Sequence, residues 1–227
     1  MPTHHRRALL ALLLIIPAPC LSGLIGLVAG KGALAVAFWA GAKVWMAVLP
    51  LVWLRLVDRK PLSWSRPERG GFGVSALSGL LIAAVIAVAY LVVGAHWIDP
   101  AAAREAFAKT GLATPGVYLG VAAYWIFANS VLEEYVYRWF IFSRARQLFG
   151  KAGGVFVAAA AFVPHHWLAL ASFCDLKTAN LACAGIFIGG LIWSAIYERY
   201  GSVWVPWVSH AIVDVAVFGI GWVLLFG

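Results

Sequence analysis

Three apolar stretches of this 227-residue chain carry side chains that do not belong in hydrocarbon. VLEEYVYRWF holds Glu133, Glu134 and Arg138; AFVPHHWLAL holds His165 and His166; VSHAIVDVAV holds His210 and Asp214. A fourth stretch, GAKVWM, holds Lys43. Ionisable groups inside an apolar span are costly and mark function by default. Glu134 and Arg138 stand at i, i+4 and can pair on one helical face, as can His210 and Asp214. Glu133 sits about 100° round from Glu134 on a helix of 3.6 residues per turn. One carboxylate can therefore be neutralised by the arginine while the other faces a cavity.

Depth points the same way. At 1.5 Å per residue, Glu133 and His210 lie about 16 Å from the nearest flanking basic residues, Arg144 and Arg199, and His166 and Asp214 about 22 Å from theirs. Charges that merely snorkel cluster at helix ends instead. A glutamate near a histidine can take a proton from water, and a second histidine with a hydrogen-bonding neighbour can stabilise an oxyanion. Together these roles describe peptide hydrolysis inside the membrane. The other use of such groups is structural, a buried network that glues helices, with Glu134 and Arg138 as a scaffold ion pair. The sequence carries no H-E-x-x-H zinc motif. It has no G-x-S-G serine motif, since Ser22 and Ser78 lack a glycine two residues before, and no G-x-G-D aspartyl motif.

These side chains need elements to hold them, and the composition says which. Hydrophobic residues make up 63% of the chain and charged residues 11%, where soluble domains carry about 25% charged. There is too little polar surface to cover a soluble domain, so the expected fold is all-α, a multi-pass transmembrane bundle of about seven helices. Apolar stretches long enough to span a bilayer run near Ala8–Ala29, Ala33–Leu56, Val74–Trp97, Gly116–Phe142, Gly153–Phe173, Asn180–Tyr197 and Val203–Phe226. They fill the chain as one integral membrane domain, residues 1–227, with residues 1–115 free of recognised motifs and residues 116–217 as the core that carries them.

The opening MPTHHRRALLALLLII has the basic start of a signal peptide, but the apolar run continues without an A-x-A site and reads as a retained first helix. Eleven basic residues fall in the segments on the N-terminal side of the bundle and four (Lys31, Arg104, Lys109, Lys177) on the other. By the positive-inside rule the N-terminus is cytoplasmic, in a cell (inner or plasma) membrane. RKPLSWSRPERGGFG reads as a cytoplasmic loop on the headgroups, and PAAAREAFAKTGL as a short interfacial helix on the outer side. The net charge of +8 is dispersed rather than patched, which excludes nucleic acid as a partner. Cys20, Cys174 and Cys183 show no ligand spacing and read as packing residues.

The ordered motifs E-E-x-x-x-R (Glu133, Glu134, Arg138), F-x-x-x-H (Phe162, His166) and H-x-x-x-N/D (His210, Asp214) resemble the CPBP family, as does the approach YERYGSVWVPWVSHAIVD to the last of them. That family comprises the type II CAAX prenyl endopeptidases and bacteriocin-processing (Abi) or immunity-associated membrane proteins. The resemblance covers about Gly116 to Val217. It implies an intramembrane endopeptidase that cuts near the C-terminus of a membrane-associated protein or peptide, which can be lipidated. Under it, Glu133 activates water together with His166, Glu134 and Arg138 support the site, and His210 and Asp214 bind the oxyanion. The alternative is a catalytically silent membrane partner such as a bacteriocin self-immunity protein.

The family has been discussed both as metal-dependent and as glutamate-dependent. The metal-free version is the expectation here, with no cofactor required; the alternative is a divalent metal held by Glu133, His166, His210 and Asp214. Asp214 departs from the asparagine usual in the prenyl endopeptidases, and an ionised aspartate would repel an oxyanion. F-x-x-x-H selects His166, which leaves His165 as a packing or supporting group about 100° away. Lys43, about 18 Å along its helix from Arg55, is expected to face the bundle and neutralise Asp214 or Glu133; otherwise it binds backbone carbonyls or reaches water through a cavity.

Overall fold

A computed structural model describes residues 3–29, 32–109 and 111–227. Among them there are helices and no strands, and six helical stretches are long and apolar enough to cross a membrane. We number the elements α1 (Thr3–Ile15), α2 (Pro17–Ala29), α3 (Ala33–Val52, running on through a π turn at Trp53–Val57), α4 (Phe72–Ala89, running on through Tyr90–Gly94 to Trp97), α5 (Pro100–Lys109), α6 (residues 115–142), α7 (Ser143–Leu170), α8 (Leu176–Tyr200) and α9 (Trp204–Phe226). This is an all-α, multi-pass membrane protein.

Two boundaries differ from those read off the sequence. The first apolar stretch is two helices, because Pro17 has no N–H to extend α1 and instead opens α2. The predicted stretches Gly116–Phe142 and Gly153–Phe173 are one helical run, Pro115–Leu170. Its 56 residues would reach roughly 84 Å if straight, far more than a bilayer core of about 30 Å. The reversal is made at Gly150, whose φ of 71° and ψ of −173° lie outside helical space. The expected loop around Arg144, Arg146 and Lys151 is thus a single residue between two helical arms. The arms meet closely, for a Cβ on Gly154 would stand 3.1 Å from the Arg146 Cα.

The second half of α6 is the centre of the bundle. Val136, Tyr137, Phe140, Ile141 and Phe142 are buried there, together with Met46 of α3, Phe162 of α7, Trp193 of α8 and Val213 of α9. α7 packs on this half of α6, α8 lies along α7, and α4 lies along α9. By contrast, α4 turns Leu80, Leu81, Val85, Val88, Leu91 and Val92 outward, an apolar surface suited to lipid. Basic segments gather at one end of the bundle. There Arg7 donates to the Val57 carbonyl, Arg144 pairs with Asp58, Arg69 donates to the Arg199 carbonyl, and Arg146 and Lys151 pair with Glu198. The short α5 forms where an interfacial helix was expected, and its Arg104 reaches the Leu224 and Gly227 carbonyls at the other end.

The seam between α4 and α9 sets the position of His210. The Ser75 hydroxyl donates to the Val205 carbonyl and accepts from the Ser209 amide (3.2 Å), two groups one helical turn apart. Ser78 donates to the Ser209 hydroxyl at 3.0 Å. These contacts need Gly79, because a Cβ there would lie 2.9 Å from the Cα and carbonyl oxygen of Ser209. Backbone cannot yield as a side chain can. Gly79→Ala is therefore expected to cost about 1–3 kcal/mol of overpacking, read as a lowered Tm of the detergent-solubilised protein.

Candidate active site

Glu133 and Glu134 are 3% and 0% exposed, and Arg138 is 0% exposed. They stand where α6 passes from an α-helical turn (Ser130–Glu133) into the π-helical stretch Glu134–Phe142. Such widened turns are frequent at functional sites. The Glu134 carboxylate is the more heavily engaged. Oε1 is 2.8 Å from His210 Nδ1, and Oε2 is 3.4 Å from Arg138 Nε.

The Arg138 guanidinium makes this ionic contact but no hydrogen bond among the described residues. Aromatic faces surround its guanidinium instead, with Phe162 at 4.8 Å, Trp193 at 5.4 Å and Tyr137 at 6.0 Å. A weakly hydrated, planar guanidinium tolerates such a cage better than an ammonium does. Arg138 and Glu134 are an ion pair held inside the bundle.

Glu133 is differently placed. Its Oε2 lies 3.6 Å from His210 Nε2, and its Oε1 lies 3.7 Å from His165 Nε2. Both separations are too long for a direct hydrogen bond, and a single water can bridge them. His166 completes the group, since Glu133, His165 and His166 each bring one ligand atom within 4.8 Å of the others. The structure therefore brings Glu133, Glu134, Arg138, His165, His166 and His210 to one place, from α6, α7 and α9.

The ring partners define the proton positions. His166 Nδ1 is 2.9 Å from the Phe162 carbonyl, which only accepts; Nδ1 therefore carries a proton, and Nε2 is the bare nitrogen of the neutral ring. His165 Nδ1 is 3.1 Å from the Tyr137 hydroxyl, and the two rings stack at 5.5 Å. The Tyr137 hydroxyl can donate to this nitrogen or accept from it, and His165 Nε2 faces Glu133. His210 is clamped by Trp193, whose indole lies nearly parallel to it at 4.1 Å and donates to the Ser209 hydroxyl at 3.0 Å. With Nδ1 of His210 tied to Glu134, its Nε2 is left facing Glu133 Oε2 and, at 3.7 Å, Asp214 Oδ1.

Asp214 sits at the rim, its side chain 22% exposed. It flanks His210 rather than converging on Glu133. The tight group able to hold a metal is likewise not the set named from the motifs. Among the described residues it is Glu133, His165 and His166, three ligands of the number that leaves a catalytic ion an open position. His210 and Asp214 stand outside it. His165, read as a packing or supporting group, stands beside Glu133. One further side chain differs from expectation. Lys43 donates to the Asn129 side chain and stands 5.0 Å from the Trp125 ring; it pairs with no carboxylate among the described residues. Asn129 precedes Glu133 by four residues and shares its face of α6, a signal available in the sequence but hidden by the lack of charge.

Residues 115–216 match the family model described as type II CAAX prenyl endopeptidase Rce1-like. This segment, which carries all three motifs, is similar to that family, which is a family of proteases. No curated protein and no solved structure matches the chain.

Proposed function

We propose that the protein is an intramembrane endopeptidase in which Glu133 activates the water that cleaves a peptide bond near the C-terminus of a membrane-associated substrate. One observation carries this reading. Glu133 is the carboxylate of the buried pair that stands beyond direct hydrogen bonding from the histidines around it, 3.6 Å from His210 and 3.7 Å from His165, while Glu134 is committed to His210 and Arg138. A carboxylate so placed is free to take a proton.

In this mechanism the bare Nε2 of His166 and a Glu133 oxygen orient one water. Glu133 accepts its proton as the oxygen attacks the carbonyl, then returns that proton to the departing amine. His210, protonated on both nitrogens, donates from Nδ1 to Glu134 and from Nε2 to the developing oxyanion. Asp214, beside Nε2 at the rim, supports the charged ring instead of touching the oxyanion. This gives the aspartate a role without requiring it to be protonated. The basic end of the bundle faces the cytoplasm in this proposal.

The cluster of Glu133, His165 and His166 favours one second reading, a divalent ion held by those three residues. Such an ion would act as a Lewis acid and lower the pKa of a bound water. One experiment separates the readings. The full chain, reconstituted in vesicles, is given membrane-anchored peptides with CAAX-type C-termini, with and without a chelator. The expected result is release of the C-terminal fragment at a rate the chelator leaves unchanged. Loss of cleavage on chelation, restored by zinc, would replace the glutamate mechanism by the metal one. No cleavage in either arm would turn the reading to a silent membrane partner.

A further inference from the structure

A pocket of about 280 Å³ opens at the basic end of the bundle, between the turn after α3 and the junction of α6 with α7. The proposed hydrolysis uses none of it. Its polar lining is Asp58, Lys60, Ser63, Ser143, Arg144 and Gln147, with Trp139 and Phe140 as the apolar wall. Hydrogen-bond donors dominate this set, and Asp58 is its single carboxylate.

Asp58 is already paired with one terminal nitrogen of Arg144. The Arg144 side chain is buried, and its Nε has no partner among the described residues. More cations ring the same turn. Arg7 Nη1 is 3.4 Å from the Val57 carbonyl, and Arg55 Nη1 is 3.5 Å from the Lys60 carbonyl. Arg7, Arg55, Lys60 and Arg144 thus gather at the turn that carries Asp58.

This turn is built rather than loose. Arg59 occupies the left-handed region at φ 53°, which a non-glycine residue adopts only where its surroundings enforce it. The Lys60 amide donates to the Leu54 carbonyl at 3.0 Å. Further along, Trp204 Nε1 donates to the Trp64 carbonyl at 2.9 Å, and the Val203 amide donates to the Ser65 hydroxyl at 3.0 Å. Yet the same segment of chain turns apolar side chains outward: Leu56 is 72% exposed, Leu62 59% and Trp64 81%. Exposed tryptophan and leucine among cations are the composition of a membrane interface.

We propose that this pocket binds the phosphate of an anionic phospholipid. The Arg144 guanidinium and the Lys60 ammonium hold the charge, the Ser63 and Ser143 hydroxyls donate to the remaining oxygens, and the acyl chains lie along Leu56 and Leu62. The lipid is the source of the phosphate rather than the free ion, because the segment that lines the pocket also exposes Leu56, Leu62 and Trp64 and carries cations that match a negative leaflet.

The test uses the full chain in neutral detergent, incubated with phosphatidylglycerol or with phosphatidylcholine of the same acyl chains. Retained lipid is read by native mass spectrometry and stability by Tm, with inorganic phosphate as a third addition. Phosphatidylglycerol is expected to be retained preferentially and to raise Tm, and inorganic phosphate to leave Tm unchanged. Lys60 is exposed, so Lys60→Gln folds; it is expected to cut phosphatidylglycerol retention about fivefold, the equivalent of about 1 kcal/mol for one basic residue near a charged headgroup. Arg104→Gln, at the opposite end, is expected to leave retention unchanged. Equal retention of both lipids, equal loss in the two variants, or stabilisation by inorganic phosphate to the same degree would overturn the proposal. Each readout is independent of peptide cleavage.

Discussion

Glu133→Gln is expected to abolish cleavage by the reconstituted protein while leaving it folded. Glutamine keeps the shape of the side chain but cannot accept the proton of the attacking water, and general-base catalysis contributes about 10²–10⁴-fold. The surroundings argue that the fold survives. Glu133 makes no direct hydrogen bond to its histidine neighbours, standing 3.6 Å from His210 and 3.7 Å from His165. Removing its charge leaves the Glu134 contacts to His210 and Arg138 in place. It also relieves repulsion between adjacent buried carboxylates, so Tm should hold or rise, as is common where a functional residue is exchanged for a neutral one. The check pairs a cleavage assay with gel filtration and thermal unfolding of the same preparation. A variant that cleaves at the wild-type rate would remove Glu133 from the role of base.

The common depth of Glu133, His166 and His210 was legible, because the rise per residue and the i, i+4 relations fix height and direction on a helix. The same rule left open which role His165 takes. Adjacent side chains leave a helix about 100° apart, yet the His165 and His166 rings lie only 4.1 Å apart between centroids. A carboxylate between two neighbouring rings can face both, and spacing alone does not say where the partner helix stands. The Gly150 reversal was likewise hidden. Arg144, Arg146 and Lys151 read as a polar loop, while in the structure they ride on helical arms and make their ion pairs with Asp58 and Glu198. Trp193 was invisible for a different reason: aromatic residues are common in membrane helices, and only the parallel stack on His210 singles it out.

The largest effect on stability is expected at Arg138. Arg138→Met keeps much of the volume against Phe162 and Trp193 but leaves Glu134 fully buried without its cation, since His210 is then the one remaining partner. Breaking a buried pair from one side costs about 3–5 kcal/mol, whereas replacing both partners by neutral groups is often near neutral. The single variant should therefore show a large drop in Tm or fail to accumulate as folded protein. The double variant Arg138→Met, Glu134→Gln should recover most of that loss. Its glutamine can still accept from His210 Nδ1, but it no longer supplies the charge that supports a protonated ring, so cleavage should stay impaired even where stability returns. Thermal unfolding and cleavage measured on the wild type, both single variants and the double variant separate the two contributions. Recovery of stability without recovery of cleavage identifies Glu134 as holding His210 for the reaction and Arg138 as holding Glu134. A double variant as unstable as Arg138→Met would mean that the aromatic cage, not the ion pair, is what Arg138 supports.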